Sequence, residues 1–288
     1  LAREGLSIED IYERLALDDI ARTADLFRKV YDETDGLDGY VSIEVSPELA
    51  YDTEKTIQEA RGLFSTLNRP NIMIKVPATR EGVPAIETLI AEGINVNVTL
   101  LFSVQRYEEV AYAYLNGLER LKATGKDISR VASVASFFVS RVDTSLDPEL
   151  EKRSFSDLIG KIAVANAKVA YGLFREIFSG PRWQTLQQQG ARPQRLLWAS
   201  TGTKNPKYPD TLYVDELIGP HTVNTLPPAT LKAYLDHGKM EKTLDAGFDE
   251  ARDQIARLTE AGIDLDAVTT KLQNDGVDLF AGSFRSLM

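Results

Sequence analysis

No cysteine occurs among the 288 residues, which removes disulfides, thiolate nucleophiles and cysteine-ligated zinc. Histidine is nearly absent: His221 and His237 are the only two, too few for a histidine-rich metal site, and no metal is expected. No run of about 18 apolar residues is present, as a membrane-spanning helix would need, so no membrane partner is expected. The opening LAREGLSIEDIYERLA is charged and helical in pattern, unlike a signal peptide. A cytoplasmic location is therefore expected. Positive charge is in deficit: 33 Lys and Arg stand against 43 Asp and Glu, a net charge of -10. Such a surface repels the phosphates of nucleic acid and anionic lipid, so no nucleic-acid partner is expected. One local basic pocket for a small anion remains compatible with it. Neither a P-loop pattern nor GxGxxG occurs, so nucleotide and nicotinamide cofactors have no support.

What is present is ordinary globular composition, 43% hydrophobic and 26% charged. The length fits two small domains or one α/β barrel of about 250 residues. No linker or repeat divides the chain, so residues 1–288 are expected to form a single domain. Apolar strand-like runs alternate with helical patterns, the signature of βα units around a parallel sheet. The strands are expected at Gly39–Pro47, Asn71–Thr79, Ile94–Ser103, Ile128–Arg141, Arg195–Thr201 and His221–Pro227. Helices are expected near 8–31, 53–67, 83–92, 104–123, 155–179, 229–237, 248–260 and 265–280.

Strand side chains alternate between faces, and in a parallel barrel one face packs on helices while the other points inward. In NIMIKVPAT, Ile72, Ile74 and Val76 share the apolar face, which leaves Lys75 with Met73 on the other. In GYVSIEVSP, Ser42 and Glu44 lie opposite Val41, Ile43 and Val45. In INVNVTLLFS, Asn95, Asn97 and Thr99 lie opposite Ile94, Val96, Val98 and Leu100. Ser200 stands at the end of the fifth strand. Polar groups thus gather toward the C-terminal ends of several strands, where barrel active sites lie. A doubly wound sheet would be apolar on both faces.

Of fourteen lysines, Lys75 alone lies inside an apolar strand run. Burial there disfavours the ammonium form, and a neutral amine can attack a carbonyl to form an iminium. The alternative is an ion pair with Glu44 on the neighbouring strand. The two are compatible, since a nearby carboxylate can also shuttle protons. Asn97 and Thr99, taken alone, read first as members of a polar barrel layer that hydrogen-bond within it. Arg141 follows an apolar strand, where it can bind phosphate through its donor fork or pair with Asp143 or Asp147. Lys204, in STGTKNP, lies in a small-residue loop suited to cradling phosphate.

These stretches closely resemble the transaldolase family. IMIKVPAT through GINVNVTLLFS (Ile72–Ser103) is similar to its Schiff-base strand, the following helix and the next strand. VSIEVSPELAYDT (Val41–Thr53) resembles the preceding strand, and VASFFVSRVD (Val134–Asp143) a later strand with its phosphate-binding turn. LLWASTGTKNP (Leu196–Pro206) is similar to the version in longer bacterial and plant members, some of them fused to a sugar-phosphate isomerase. The resemblance implies an α/β TIM (β/α)8-barrel and no cofactor. It also implies transfer of a dihydroxyacetone unit from sedoheptulose 7-phosphate to glyceraldehyde 3-phosphate, the pentose phosphate pathway reaction.

Carried over by position, the resemblance implies that Lys75 forms the Schiff base, while Glu44 and Thr99 place a catalytic water and assist proton transfer. Asn97 would bind the dihydroxyacetone unit, Ser136 substrate hydroxyls, and Phe138 would wall the pocket. Arg141 and Ser200 would bind phosphate. Lys204 would supply the charge for which many members use an arginine. The family's first two strands, with an aspartate acid/base and an asparagine turn, have no counterpart after Leu1. The chain is therefore expected to be N-terminally truncated, its six strands matching the third to eighth of the barrel. A homodimer, or fusion to an isomerase, is a further expectation. Rival readings are an aldolase releasing free dihydroxyacetone and a non-catalytic barrel.

Overall fold

A computed structural model describes residues 5–288, apart from the side chain of Glu9. The elements are α1 (Ile8–Glu33), β1 (Val41–Glu44), α2 (Thr53–Leu67), β2 (Ile72–Pro77), α3 (Gly82–Glu92), β3 (Val96–Leu101), α4 (Val104–Ala123), β4 (Ser133–Phe138), α5 (Ser140–Lys152), α6 (Ile162–Ile177), α7 (Pro181–Gln187), β5 (Arg195–Ala199), α8 (Leu212–Asp215), β6 (Thr222–Asn224), α9 (Pro228–His237), α10 (Phe248–Glu260) and α11 (Leu265–Leu287). Local chemistry explains several of the boundaries. Ser7 caps α1 in a capping box with Asp10, Asp52 caps α2 and Ser103 caps α4. Each supplies an oxygen to an amide that the first helical turn leaves unpaired. Helix α3 ends at Gly93 in the left-handed conformation (φ 87°), which glycine adopts without steric cost.

The six strands are parallel and lie side by side in chain order, β1 to β6. A doubly wound sheet reverses its order at a switch point. This one does not, so the sheet winds as a βα-barrel sheet does. Its outer face is the expected apolar one: Ile72, Ile74, Val76, Val96 and Val98 are fully buried. Each such side chain contributes about 1.5–3 kcal/mol on burial. Helices α3 and α4 close on each other at Gly117, where a Cβ would come within 2.7 Å of Ile90.

The inner face curls inward. Asn97 Nδ2 on β3 donates to Ser42 Oγ on β1 at 3.1 Å, passing over β2. Strands two apart in a flat sheet are separated by roughly 9–10 Å, more than these two short side chains span. The inner face therefore folds toward a barrel interior. Toward the N-terminal ends of the strands it meets a cavity of about 250 Å³ lined by Met73, Val134, Arg195 and His221.

The expected strands are real but shorter. The fourth is confined to Ser133–Phe138, because Ser140 already starts α5. The helix expected over 155–179 is a 3-10 turn at Ser156–Leu158 followed by α6, and α11 continues past residue 280 to Leu287. The strict alternation expected through Leu100 is broken. The β3–β4 register shifts between Val98 and Leu101, and Leu100 adopts a left-handed φ of 58°. Its side chain packs on Gly276 of α11 rather than continuing the row of Val96 and Val98. A bulge re-aims side chains in this way at the rims of barrels.

Candidate active site

Glu44, Lys75 and Asn97 are register partners across β1, β2 and β3, so three neighbouring strands bring them into one row. Lys75 Nζ lies 2.9 Å from Glu44 Oε2, and each side chain keeps about a quarter of its surface exposed (25% and 27%). The ion pair expected as one reading of Lys75 is present, and the side chain remains partly open to solvent. The Phe280 ring centroid lies 5.9 Å from Nζ. Glu44 also lines a cavity of about 580 Å³ that reaches Phe280 and Phe284 of α11.

Asn97 is oriented from both sides. Its Oδ1 accepts the Ser136 hydroxyl at 2.7 Å while its Nδ2 donates to Ser42. Asn95, expected on the same face, instead ties strand beginnings together: Nδ2 donates to the Pro70 and Ile72 carbonyls, and Oδ1 accepts the Ala132 N–H. Thr99 is fully buried, and its hydroxyl has no hydrogen-bond partner among the described residues. A buried polar group left unpaired costs about 1–3 kcal/mol, so this hydroxyl is suited to holding a water or a substrate oxygen.

The residues expected to bind phosphate lie on α5 and in the loop after β5. Arg141, the second residue of α5, stands 5.5 Å from the Phe138 ring centroid. Phe138 itself is buried against Phe102, with centroids 5.1 Å apart. Neither Asp143 nor Asp147 pairs with Arg141. Asp143 accepts the Ala163 N–H at 2.7 Å and the Tyr213 hydroxyl at 2.8 Å. Asp147 accepts the Gly160 N–H and the Tyr208 hydroxyl. Arg141 and Lys204 form no hydrogen bond or ion pair among the described residues, and Lys204 is exposed. Ser200 has a left-handed φ of 54°. Its hydroxyl lies 2.9 Å from that of Ser140, and its carbonyl accepts the Ser140 N–H at 3.0 Å.

Three features escaped the sequence reading. Gln273 of α11 donates from Nε2 to the carbonyls of Ala78 (2.8 Å) and Leu100 (3.0 Å), tying together the C-terminal ends of β2 and β3. Gln273, Gly276 and Phe280 recur at i, i+3 and i+7, so one helix face meets the strand ends, Leu100 and Lys75. That spacing was visible but reads as ordinary core packing. Asp143 is the third feature, 1% exposed. Burial pushes its carboxyl up to about 7, against the opposing effect of the hydrogen bonds from the Ala163 N–H and the Tyr213 hydroxyl. The same burial and the neighbouring carboxylate hold the Tyr213 phenol well above its usual range.

Parallel strands laid in chain order, with a lysine–carboxylate pair and an oriented amide among them, have the layout of an α/β-barrel enzyme. The chain belongs to the transaldolase/fructose-6-phosphate aldolase family, whose model matches residues 1–288. It is 50% identical over 292 residues to a transaldolase of Thermobifida fusca, covering 100% of this chain and 79% of that protein. It is 52% identical over 290 residues to a transaldolase of Acidothermus cellulolyticus, covering 100% of this chain and 78% of that one. Among the described residues, no helix is long and apolar enough to cross a membrane.

Proposed function

We propose that the chain is a transaldolase. It transfers a dihydroxyacetone unit from sedoheptulose 7-phosphate to glyceraldehyde 3-phosphate, giving erythrose 4-phosphate and fructose 6-phosphate. The observation that carries this reading is the Lys75–Glu44 pair at 2.9 Å, placed beside Asn97 on one side of a parallel sheet. In this reading Glu44 takes a proton from the Lys75 ammonium. The neutral amine attacks the ketose C2, and loss of water leaves an iminium. Glu44, deprotonated again once it has given its proton to the carbinolamine oxygen that leaves as water, takes the C4 hydroxyl proton; the C3–C4 bond breaks, and its electron pair passes into the iminium to give an enamine. The aldose departs, the enamine adds to the acceptor aldehyde, and hydrolysis frees Lys75.

The unpartnered Thr99 hydroxyl holds the water that Glu44 activates. Asn97, held by Ser42 and Ser136, binds the dihydroxyacetone oxygens. Ser136 contacts substrate hydroxyls and Phe138 walls the pocket. Arg141, Ser200 and Lys204 receive the phosphate. On this reading residues 1–288 act as one barrel unit, the partners are sugar phosphates and the compartment is the cytosol.

Borohydride added with fructose 6-phosphate is expected to fix a sugar-derived adduct on the peptide containing Lys75, and Lys75→Met is expected to abolish it. An adduct on another lysine would refute the assignment. Product analysis with and without an acceptor aldose separates transfer from simple release of dihydroxyacetone.

A further inference from the structure

The loop that carries Lys204 is anchored to α5 on both sides of that lysine. Upstream, Ser200 is bonded to Ser140 through carbonyl, amide and hydroxyls. Downstream, the Tyr208 hydroxyl donates to Asp147 Oδ2, and Asp147 Oδ1 is held by the Gly160 N–H at 3.0 Å. The two anchor points on α5 lie about two turns apart, roughly 10 Å along the axis. Residues 201–207 therefore form a strap along the start of α5, with Lys204 midway between its ends. Arg141 lies in the first of those turns.

The downstream anchor is closely built. Gly160 has a left-handed φ of 72°, and a Cβ there would come within 2.8 Å of the Tyr208 ring. The ring is thus seated where only glycine leaves room. Among the described residues neither Arg141 nor Lys204 has a carboxylate partner, and two such cations repel each other. A strap fixed at both ends limits how far the backbone carrying Lys204 can move from the start of α5, so less ordering is left to binding.

We infer that Tyr208 is a positioning residue for phosphate recognition: through Asp147 it holds Lys204 beside Arg141, so that both cations meet one phosphate group. The inference rests on the proposed phosphate role of those two cations. Tyr208 touches no substrate. It acts on phosphorylated sugars alone, because it sets the place of Lys204 and not that of Lys75.

The test uses the full chain and compares Tyr208→Phe, Lys204→Ala and the double variant. Tyr208→Phe keeps the ring against Gly160 and removes only the hydroxyl. The readout is the donor concentration giving half-maximal borohydride-trapped adduct, measured with fructose 6-phosphate and with dihydroxyacetone. Tyr208→Phe is expected to raise the fructose 6-phosphate value about fivefold, to move the dihydroxyacetone value by less than about twofold, and to add nothing once Lys204 is alanine. Asp147→Asn, which keeps an acceptor oxygen, is expected to give a smaller shift in the same direction and stands in if Tyr208→Phe fails to fold. Equal shifts for both donors, or additive effects in the double variant, overturn the inference. If Lys204→Ala and Arg141→Ala themselves fail to discriminate between the donors, the phosphate role of the cations fails, and the inference falls with it.

Discussion

Replacing Asp143 by asparagine is expected to flatten the pH dependence of stability. The carboxyl is almost wholly inside the protein, and burial lifts its pKa from 3.8 to about 7. A group whose pKa is raised on folding favours the fold most when it is protonated. That contribution is complete below pH 3.8 and is lost as pH rises through about 7. The lift spans roughly three pH decades, and at about 1.4 kcal/mol per decade the full loss is about 4 kcal/mol. Roughly half of it, about 2 kcal/mol, falls between pH 5.5 and pH 8. Asparagine has nearly the same shape and no charge to bury. Its oxygen can still accept the Ala163 N–H, and the Tyr213 hydroxyl can turn to accept from the amide. The wild type should therefore lose about 2 kcal/mol more than Asp143→Asn over that interval, about 3 °C in Tm for a chain of this length. Thermal melts of both proteins at half-unit pH steps measure the difference directly. Any constant penalty from a weakened hydrogen bond displaces one curve without changing its slope. Parallel Tm-versus-pH curves would show that Asp143 titrates normally or is ionised in the fold, and the burial argument would be wrong.

Arg141→Ala should lower kcat/KM for phosphorylated donors by about one to two decades, since a charge-assisted contact contributes roughly 1.5–3 kcal/mol. The loss with dihydroxyacetone should be far smaller, and an equal loss would make Arg141 a structural residue stacked on Phe138. Gln273→Ala leaves the carbonyls of Ala78 and Leu100 without their shared donor. The expected cost is about 1–3 kcal/mol of stability and a fall in kcat of about tenfold, with KM changing less. Unchanged kcat would confine α11 to packing.

Much of the site was legible because its logic is local. A strand alternates faces every residue, so one lysine in IMIKVP and one glutamate in VSIE had to share a face with the asparagine of VNVT. The absence of order reversal in the sheet then brought Glu44, Lys75 and Asn97 into adjacent register. Asp52 and Ser103 fix the starts of α2 and α4 in the same local way, since each cap acts within four residues of itself. What the sequence alone determined was therefore the six strands, their faces as far as Val98 and most of the longer helices, whereas α5, α7 and α8 were not expected and the lysine-centred row formed only once the sheet order was set. The tertiary structure decided everything that depends on contacts far along the chain. Leu100 is held in a left-handed conformation under a helix whose Gln273 lies 173 residues away. Asp143 is lifted toward neutrality by its burial in the folded protein, against the hydrogen bonds it receives from Ala163 of α6 and from Tyr213, 70 residues on. Arg141 pairs with neither of its two candidate carboxylates, which instead accept hydrogen bonds from Tyr213 and Tyr208. Local periodicity dictates which way a side chain points. Burial, strain and choice of partner depend on what else the fold brings to the same place.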